Sequence, residues 1–230
     1  MVKNLRLISL LLTFFMMGCV KNHENCPYFF TLPVSITPAQ EVYHIGDTIR
    51  VVSEFDDQVM GSNGVGKELG TFDMQGIMWQ PTLSFFKLDT IIPNKADHKS
   101  LFDGFANIEI LKGNLESYKF TTGDERIIGE YLEDNHTFSY SINIIPRKKG
   151  VFFISFLSFV NFTPPYNLQD FPGRCDRSFY DIHFKTNGGT DNHYHLMLES
   201  PDPYWNRTGV GNNIYSFPFD EVGGYCFRVE

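Results

Sequence analysis

The sequence predicts a mostly β fold built as a sandwich of two sheets. Residues 138–145 alternate strictly between apolar and polar side chains, which is typical of a half-buried strand. Residues 151–160 are apolar on both faces, as expected of a central strand that is covered on both sides. No stretch has the pattern of an amphipathic helix. This combination favours a β-sandwich over helical and α/β architectures.

The other predicted strands are short and separated by turn-forming residues. Residues 48–55 alternate in the same way, and further candidate strands are 32–37, 83–88, 105–111, 117–121, 126–132, 179–185 and 225–229. Gly and Asp or Asn punctuate the chain between them. Three stretches, 56–80, 161–176 and 186–221, do not read as strands. Loops this long are uncommon unless they are functional, so any site is expected there.

Composition excludes some classes of partner. The chain has 230 residues, 42% of them hydrophobic and 20% charged, which is typical of a globular protein. Lys and Arg total 19 against 27 Asp and Glu, giving a net charge of −8. No basic block is present that would follow a phosphate backbone, so nucleic-acid binding is not expected.

The N-terminus reads as an export signal. Lys3 and Arg6 precede an apolar run of 11 residues, Leu7 to Met17, which ends at Gly18. At about 1.5 Å per residue this run is too short to cross a hydrocarbon core of about 30 Å. A basic flank, a short apolar core and a small residue at the boundary are typical of a secretory signal peptide.

Met16-Met17-Gly18-Cys19 resembles the lipobox of bacterial lipoproteins. The resemblance implies that Cys19 carries lipid, palmitate included, and becomes the first residue of the mature chain. The predicted organisation is a signal peptide at 1–18, a lipidated tether at 19–30 and one β-sandwich domain at 31–230. Val20 after the cysteine implies the outer membrane. A plain secretory signal and an uncleaved apolar N-terminus remain the alternatives.

The remaining cysteines allow at most one intrachain disulfide. Cys26 falls in the predicted tether, which leaves Cys175 in a loop and Cys226 in the strand 225–229. Alternation places Cys226 on the outer strand face beside Arg228. We therefore predict a Cys175–Cys226 disulfide, with unpaired thiols as the alternative.

A family resemblance refines the fold. The segment Tyr43-His44-Ile45-Gly46-Asp47-Thr48-Ile49 is similar to the first hairpin of bacterial immunoglobulin-like domains. Together with the lipobox and the segments 149–152 and 224–227, it makes the whole chain resemble uncharacterised lipoproteins of the Bacteroidota. The resemblance implies an exported immunoglobulin-like β-sandwich with long loop insertions, and it brings no catalytic residues.

Asp191, His193 and His195 form the one cluster with plausible metal spacing. On a strand, both imidazoles would share a face and reach one zinc ion, with Asp191 or Glu199 supplying an oxygen. On a helix, the two histidines would diverge by about 200°. Thr190 and Asp191 are also a possible cap for a short helix that runs to Glu199. Surface histidines are the default alternative.

Two further motifs are interpreted as structural. Residues 61–68 nearly match a phosphate-binding loop, but Glu68 stands where a hydroxyl is needed, so we interpret the segment as a glycine-rich surface loop. The adjacent acids Asp56-Asp57 and Asp124-Glu125 would serve acid/base catalysis only if they faced partners across a cleft. Solvated acids on turns are the alternative.

The tryptophans suggest a recognition surface. Trp79, Tyr204 and Trp205 fall in predicted loops, where flat rings can stack on sugars or apolar partners. The alternative is that each loop folds its aromatic residue down onto the edge of the sandwich.

The sequence thus predicts a cell-envelope lipoprotein that acts as a binding or structural module, not as an enzyme, with no cofactor. Its expected partners are the membrane, through the anchor, and a glycan or a protein. A glycan-binding lipoprotein would gather Trp79, Tyr204 and Trp205 in one exposed patch. A hydrolase would bring His193 and His195 together in a pocket. A fimbria-like subunit would expose an unpaired edge strand.

Overall fold

A computed structural model describes residues 27–63, 65–160, 181–206 and 223–230. Their strands form two sheets of eight and six strands. The inner faces of the two sheets enclose one large apolar core. The chain is therefore a β-sandwich, as the sequence predicts.

The first sheet has the strand order β10-β11-β3-β1-β4-β5, with β13 beside β1 and β7 beside β11. Its strands are β1 (Phe29–Thr37), β3 (Ile49–Asp56), β4 (Gln58–Ser62), β5 (Glu68–Asp73), β7 (Ala106–Lys112), β10 (Leu132–Asp134), β11 (Thr137–Pro146) and β13 (Asp181–Thr186). The pairing of β1 with β13 is parallel, whereas β3 and β11 pair antiparallel.

The second sheet has the strand order β2-β14-β12-β6-β9-β8. Its strands are β2 (Val42–Tyr43), β6 (Trp79–Lys87), β8 (Asn114–Lys119), β9 (Glu125–Glu130), β12 (Gly150–Val160) and β14 (Tyr225–Val229). Two short 3₁₀ turns, Lys95–Asp97 and Asn187–Gly189, and a one-turn helix, His195–Leu198, lie outside the sheets.

Alternation along the strands builds the core. In β1 the buried residues are Phe30, Leu32, Val34 and Ile36, every second position of the strand. Phe152, Ile154 and Phe156 of β12 face them from the second sheet. Burial of such large apolar side chains is the main favourable contribution to folding.

The two best-defined sequence patterns correspond to strands. β11 and β12 extend the predicted segments 138–145 and 151–160 by only a residue or two. β11 is more buried than a half-buried strand, since Ser139 and Ser141 on its polar side are buried as well. Neighbours flank β11 on both sides in the sheet, which limits the access of water to these small side chains.

The stretch 56–80 contains strands that the sequence does not indicate. β4 and β5 form an antiparallel hairpin around the glycine-rich turn, and β6 begins at Trp79. Gly61 interrupts the apolar alternation of β4 because the Phe72 ring and Pro27 lie against its backbone, 2.6 Å and 2.9 Å from where a Cβ would stand. Glycine here serves close packing, and it removes the strand signal from the sequence.

The predicted hairpin at residues 43–49 is wrong in its pairing. Its turn is present, with Gly46 at φ +90° and the Asp47 N–H donating to the His44 carbonyl at 3.1 Å. The flanking strands do not pair with each other, because β2 pairs with β14 and β3 pairs with β1 and β11. The turn therefore carries the chain from one sheet to the other.

A second apolar cluster covers part of the outer face of the second sheet. Leu88, Phe153 and Cys226 of the sheet region pack against Leu196, Met197 and Trp205 from the segment that follows β13. This cover explains why β12 is apolar on both faces. It also means that Cys226, on the outer face of β14, is not exposed to solvent.

Several sequence predictions lie outside the described residues. These are the signal peptide at 1–18, the lipidated Cys19, Cys26 in the tether and Cys175. Among the residues that the structure describes, no helix has the length and apolar character needed to cross a membrane.

Candidate functional site

Trp79 is a core residue and not part of an exposed loop. It is 1% exposed at the start of β6, inside the large core. Its ring makes edge contacts with Phe30, Phe55 and Phe138, with centroids 5.6 to 6.4 Å apart. The predicted recognition surface that includes Trp79 is therefore wrong, because this indole is packed between the sheets.

Tyr204 and Trp205 lie in the second cluster, on the other side of the second sheet. Trp205 is 9% exposed and contacts Phe86 with ring centroids 5.1 Å apart. Tyr204 is half-buried and packs against the same cluster. The three predicted aromatic residues thus share no exposed patch. The loop at Tyr204 and Trp205 folds down onto the sheet, because a large apolar ring is costly to hydrate.

Asp202 holds this loop in place through three hydrogen bonds. Its carboxylate accepts the N–H of Ile92 at 2.8 Å and the N–H of Tyr204 at 2.9 Å. His98 Nε2 lies 2.9 Å from the same carboxylate, and both side chains are almost fully buried. We call Asp202 with Ile92, His98 and Tyr204 the Asp202 anchor. It joins two loops that are distant in sequence.

Neighbouring polar groups reinforce the Asp202 anchor. The Ser200 hydroxyl donates to the Leu88 carbonyl, and the Asp202 N–H donates to the Ser200 hydroxyl at 3.1 Å. Asn206 donates from its side-chain amide to the Ser200 carbonyl at 2.8 Å. These bonds satisfy backbone groups that the fold takes away from water.

The charge state of Asp202 follows from this geometry. Burial alone would raise the pKa of the Asp202 carboxyl, but the donors Ile92, Tyr204 and His98 outweigh burial and lower the pKa below its ordinary value of 3.8. Hydrogen bonds to the ionised form favour that form. Asp202 is therefore a carboxylate at neutral pH.

A cavity of about 260 Å³ lies beside the Asp202 anchor. Three aromatic side chains form much of its wall, namely Phe86, Phe105 and Trp205. Leu101 and Ile92 add apolar surface, and Thr90, Asp97, His98, Lys87 and Lys99 complete the lining. Apolar walls with a few polar groups are typical of small-molecule sites.

Sequence reasoning missed His98 and Asp202. They are 104 positions apart, and neither belongs to a recognisable motif. The one available signal was Asp202 itself, an acid between two prolines in a segment rich in aromatic residues. Such an acid in an apolar setting needs partners for its oxygens.

The predicted zinc site is not formed. Asp191 and His193 lie in a loop with φ of 50° and 52°, and His195 begins the short helix, so the strand geometry that would align the imidazoles is absent from this segment. His193 Nδ1 lies 3.1 Å from the Cys226 carbonyl, whereas His195 Nε2 lies 3.3 Å from a Glu41 carboxylate oxygen. No group of three metal-ligating side chains occurs within the described ranges.

The adjacent acids Asp56-Asp57 and Asp124-Glu125 do not form a catalytic pair. Asp57 is buried and lies 2.7 Å from His136 Nδ1, which raises the pKa of that imidazole. Asp124 accepts the Ser100 N–H at 2.8 Å, and Glu125 accepts the Asp103 N–H at 2.9 Å. Asp57, Asp124 and Glu125 each satisfy a backbone group or a basic side chain nearby, and Asp56 is exposed at the end of β3.

In the glycine-rich segment 61–68, Gly61 and Ser62 end β4 and Glu68 begins β5, and the described residues between them form the hairpin turn. The interpretation as a surface loop therefore holds for the turn alone, because Gly61 and Ser62 are buried. The Asn63 side chain accepts the N–H groups of Val65 and Lys67 at 3.1 Å and 2.9 Å. This Asx-type bonding closes the turn locally.

Cys226 is a buried, unpaired thiol in the described part of the chain. It is 1% exposed, so its predicted outward position is correct only in the sense that it faces away from the main core. Burial raises the pKa of this thiol well above its usual range. The disulfide with Cys175 stays a prediction, since Cys175 lies outside the described residues.

Comparisons with known proteins yield weak structural likenesses. No protein-family model matches the chain, and no curated protein matches it. The human F-spondin reeler domain is 8% identical and has a TM-score of 0.31, with 60% of this chain and 83% of that chain covered.

Two bacterial structures are similar at a lower level. A type II cohesin domain from the cellulosome of Acetivibrio cellulolyticus is 7% identical, with a TM-score of 0.27 and coverage of 67% of this chain and 91% of that chain. The CupB6 tip adhesin from Pseudomonas aeruginosa is 12% identical, with a TM-score of 0.20 and coverage of 71% of this chain and 40% of that chain. At these TM-scores the likeness carries no inference about function.

Proposed function

We propose that this protein is a lipid-anchored binding module of the cell envelope, and not an enzyme, with its ligand site in the cavity beside the Asp202 anchor. The observation that supports a binding role is the cavity walled by Phe86, Phe105 and Trp205. The Asp202 anchor fixes one wall of this cavity, and preorganised walls lower the cost of binding.

The size and lining of the cavity define the ligand class. Its volume of about 260 Å³ is less than twice that of a dry protein cavity of about 150 Å³ that holds benzene. The Lys87 ammonium lies 3.2 Å from Asp89, so its charge is already compensated. A single apolar ring, or an aliphatic group of similar size, is the ligand that these walls favour.

Trp205 makes this proposal testable by fluorescence. The chain has two tryptophans, so the Trp79→Phe variant reports on Trp205 alone and the Trp205→Phe variant reports on Trp79 alone. Titration of the Trp79→Phe variant with toluene, phenol or cyclohexanol is expected to change its Trp205 emission, with a Kd on the order of 1 mM. The second variant is the control and is expected to show no change.

A cavity-filling variant completes this test. Leu101 lines the cavity and is 37% exposed, so Leu101→Trp is expected to occupy the space with little effect on stability. Binding, measured by NMR of the ligand, is expected to disappear. Undiminished binding in this variant, or equal responses from both tryptophans, would contradict the proposed site.

The lipid anchor is tested separately at Cys19. The basic flank, the apolar run and the Gly18-Cys19 pair support lipidation of this residue. Wild-type protein expressed in a bacterium is expected to incorporate radiolabelled palmitate, and Cys19→Ser is expected to accumulate as unlabelled precursor. Cys26→Ser is the matched control and keeps its label. Equal labelling of Cys19→Ser and wild type would rule out lipidation at Cys19.

A further inference from the structure

β8 is an exposed edge of the second sheet. It ends the strand order and pairs with β9 alone among the described strands. Five of its six side chains are exposed, and Leu115 is the buried one. An edge strand with free backbone groups is a template for pairing with another chain. β8 contains no proline, so one common protection of edges is missing from it.

An exposed aromatic pair continues this edge. Tyr118 is 45% exposed and Phe120 is 36% exposed, and their rings meet edge to face with centroids 4.8 Å apart. The Arg126 guanidinium lies 5.4 Å from the centre of the Phe120 ring and is ion-paired with Asp124 at 2.6 Å. Exposed aromatic side chains beside arginine are enriched at binding surfaces.

A groove runs along the outer face beside β8. The groove has a volume of about 610 Å³, and Asn114, Leu115 and Glu116 of β8 contribute to its wall. Glu130 of β9 lines it too, whereas no lysine or arginine does. The basic residues of β8 and β9 are already paired, Lys119 with Glu125 and Arg126 with Asp124. The free charge of this edge is therefore negative.

We propose that β8 is a docking edge for an extended segment of a partner protein that carries basic and apolar side chains at alternate positions. The added strand hydrogen-bonds to the free backbone edge of β8, as in strand addition. A lysine or arginine opposite Glu116 pairs with its carboxylate. The basic residue two positions away lies against the exposed Tyr118 ring, where a cation is attracted to the ring face, and the apolar residues between them lie on the opposite face of the added strand. This edge lies apart from the cavity and does not depend on the proposed function.

Charge favours such a partner over a second copy of this chain. The chain has a net charge of −8, so two copies repel each other at long range. Antiparallel pairing of two β8 strands centred on Glu116 would also place the two Glu116 carboxylates directly opposite each other, which is destabilising. A basic segment is not repelled by the negative chain, and it places no carboxylate opposite Glu116.

Two labelled peptides test the proposal on the full chain. One fluorescein-labelled hexapeptide alternates valine with lysine, and the other alternates valine with glutamate. Fluorescence anisotropy is expected to show binding of the lysine peptide and at least tenfold weaker binding of the glutamate peptide. Hydrogen–deuterium exchange is expected to slow at β8 amides when the lysine peptide binds. Affinity is expected to fall as salt rises, since these charges are exposed.

Variants separate the edge from general charge attraction. Glu116→Gln is expected to lower the affinity for the lysine peptide by up to about fivefold, which is the range of an opposite-charge pair across strands. Tyr118→Lys is expected to abolish binding of this peptide. Glu68→Gln on β5, also an exposed strand residue, is the matched control and leaves affinity unchanged. Equal effects of Glu68→Gln and Glu116→Gln, or protection of amides elsewhere, would overturn the proposal. Protection of β8 that grows with protein concentration without peptide would assign the edge to a second copy instead, and would overturn it too.

Discussion

Trp79→Ala is expected to destabilise the protein by about 3 to 5 kcal/mol, the range for truncation of a large buried aromatic residue. The indole is 1% exposed and contacts rings of the facing sheet, Phe30 and Phe55. Its removal leaves a void between the sheets that rigid β-strands cannot close. The free energy of unfolding from a urea titration, followed by far-UV circular dichroism, measures this loss.

The neighbouring Met78 provides the control for Trp79. Met78 is 39% exposed, so Met78→Ala is expected to change the free energy of unfolding by about 0.5 kcal/mol or less. A similarly small decrease in the free energy of unfolding for Trp79→Ala would mean that the indole is not a core residue. It would favour the interpretation of this segment as a loop.

Asp202→Ala is expected to destabilise the protein by about 3 kcal/mol at neutral pH. The substitution leaves the N–H groups of Ile92 and Tyr204 without their acceptor, and it removes the charged partner of His98. Loss of one member of a buried, hydrogen-bonded group costs this much because the remaining groups stay buried. Asp97→Ala, at an exposed acid that lines the same cavity, is the matched control and is expected to be nearly neutral.

The effect of Asp202→Ala depends on pH in a defined direction. The pKa of Asp202 is lowered in the fold from its ordinary value of 3.8, so its carboxylate contributes stability above that value. This contribution is lost as the pH falls through the lower pKa of the folded state. The difference in unfolding free energy between wild type and Asp202→Ala is therefore expected to narrow below about pH 4. A difference that stays constant down to pH 2 would contradict the role of the ionised carboxylate.

Periodicity made the sandwich predictable from sequence. β11 and β12 have long, regular patterns that local chemistry alone specifies. Trp79 was misplaced, and Pro81, two residues further along β6, weakens the strand pattern at this point of the sequence. The proline is tolerated because β9 pairs with β6 only from Thr82 onward, so position 81 needs no N–H on that side.

The candidate site was far less predictable than the fold. His98 and Asp202 meet through the packing of two loops onto the outer face of the second sheet, and no local pattern encodes that packing. The same packing buries Cys226, which alternation alone places on an outer face. Sequence periodicity reports which side of a strand a residue occupies, but a covering loop decides whether that side meets water.

The cavity beside the Asp202 anchor is tested most directly by a crystal of the full chain under xenon pressure. Xenon enters apolar protein cavities that water leaves empty. We predict a xenon site within van der Waals distance of Phe86, Phe105 and Trp205, and its loss in crystals of Leu101→Trp. Xenon bound only elsewhere, or continuous side-chain density filling the space between these three rings, would contradict a ligand site in this cavity.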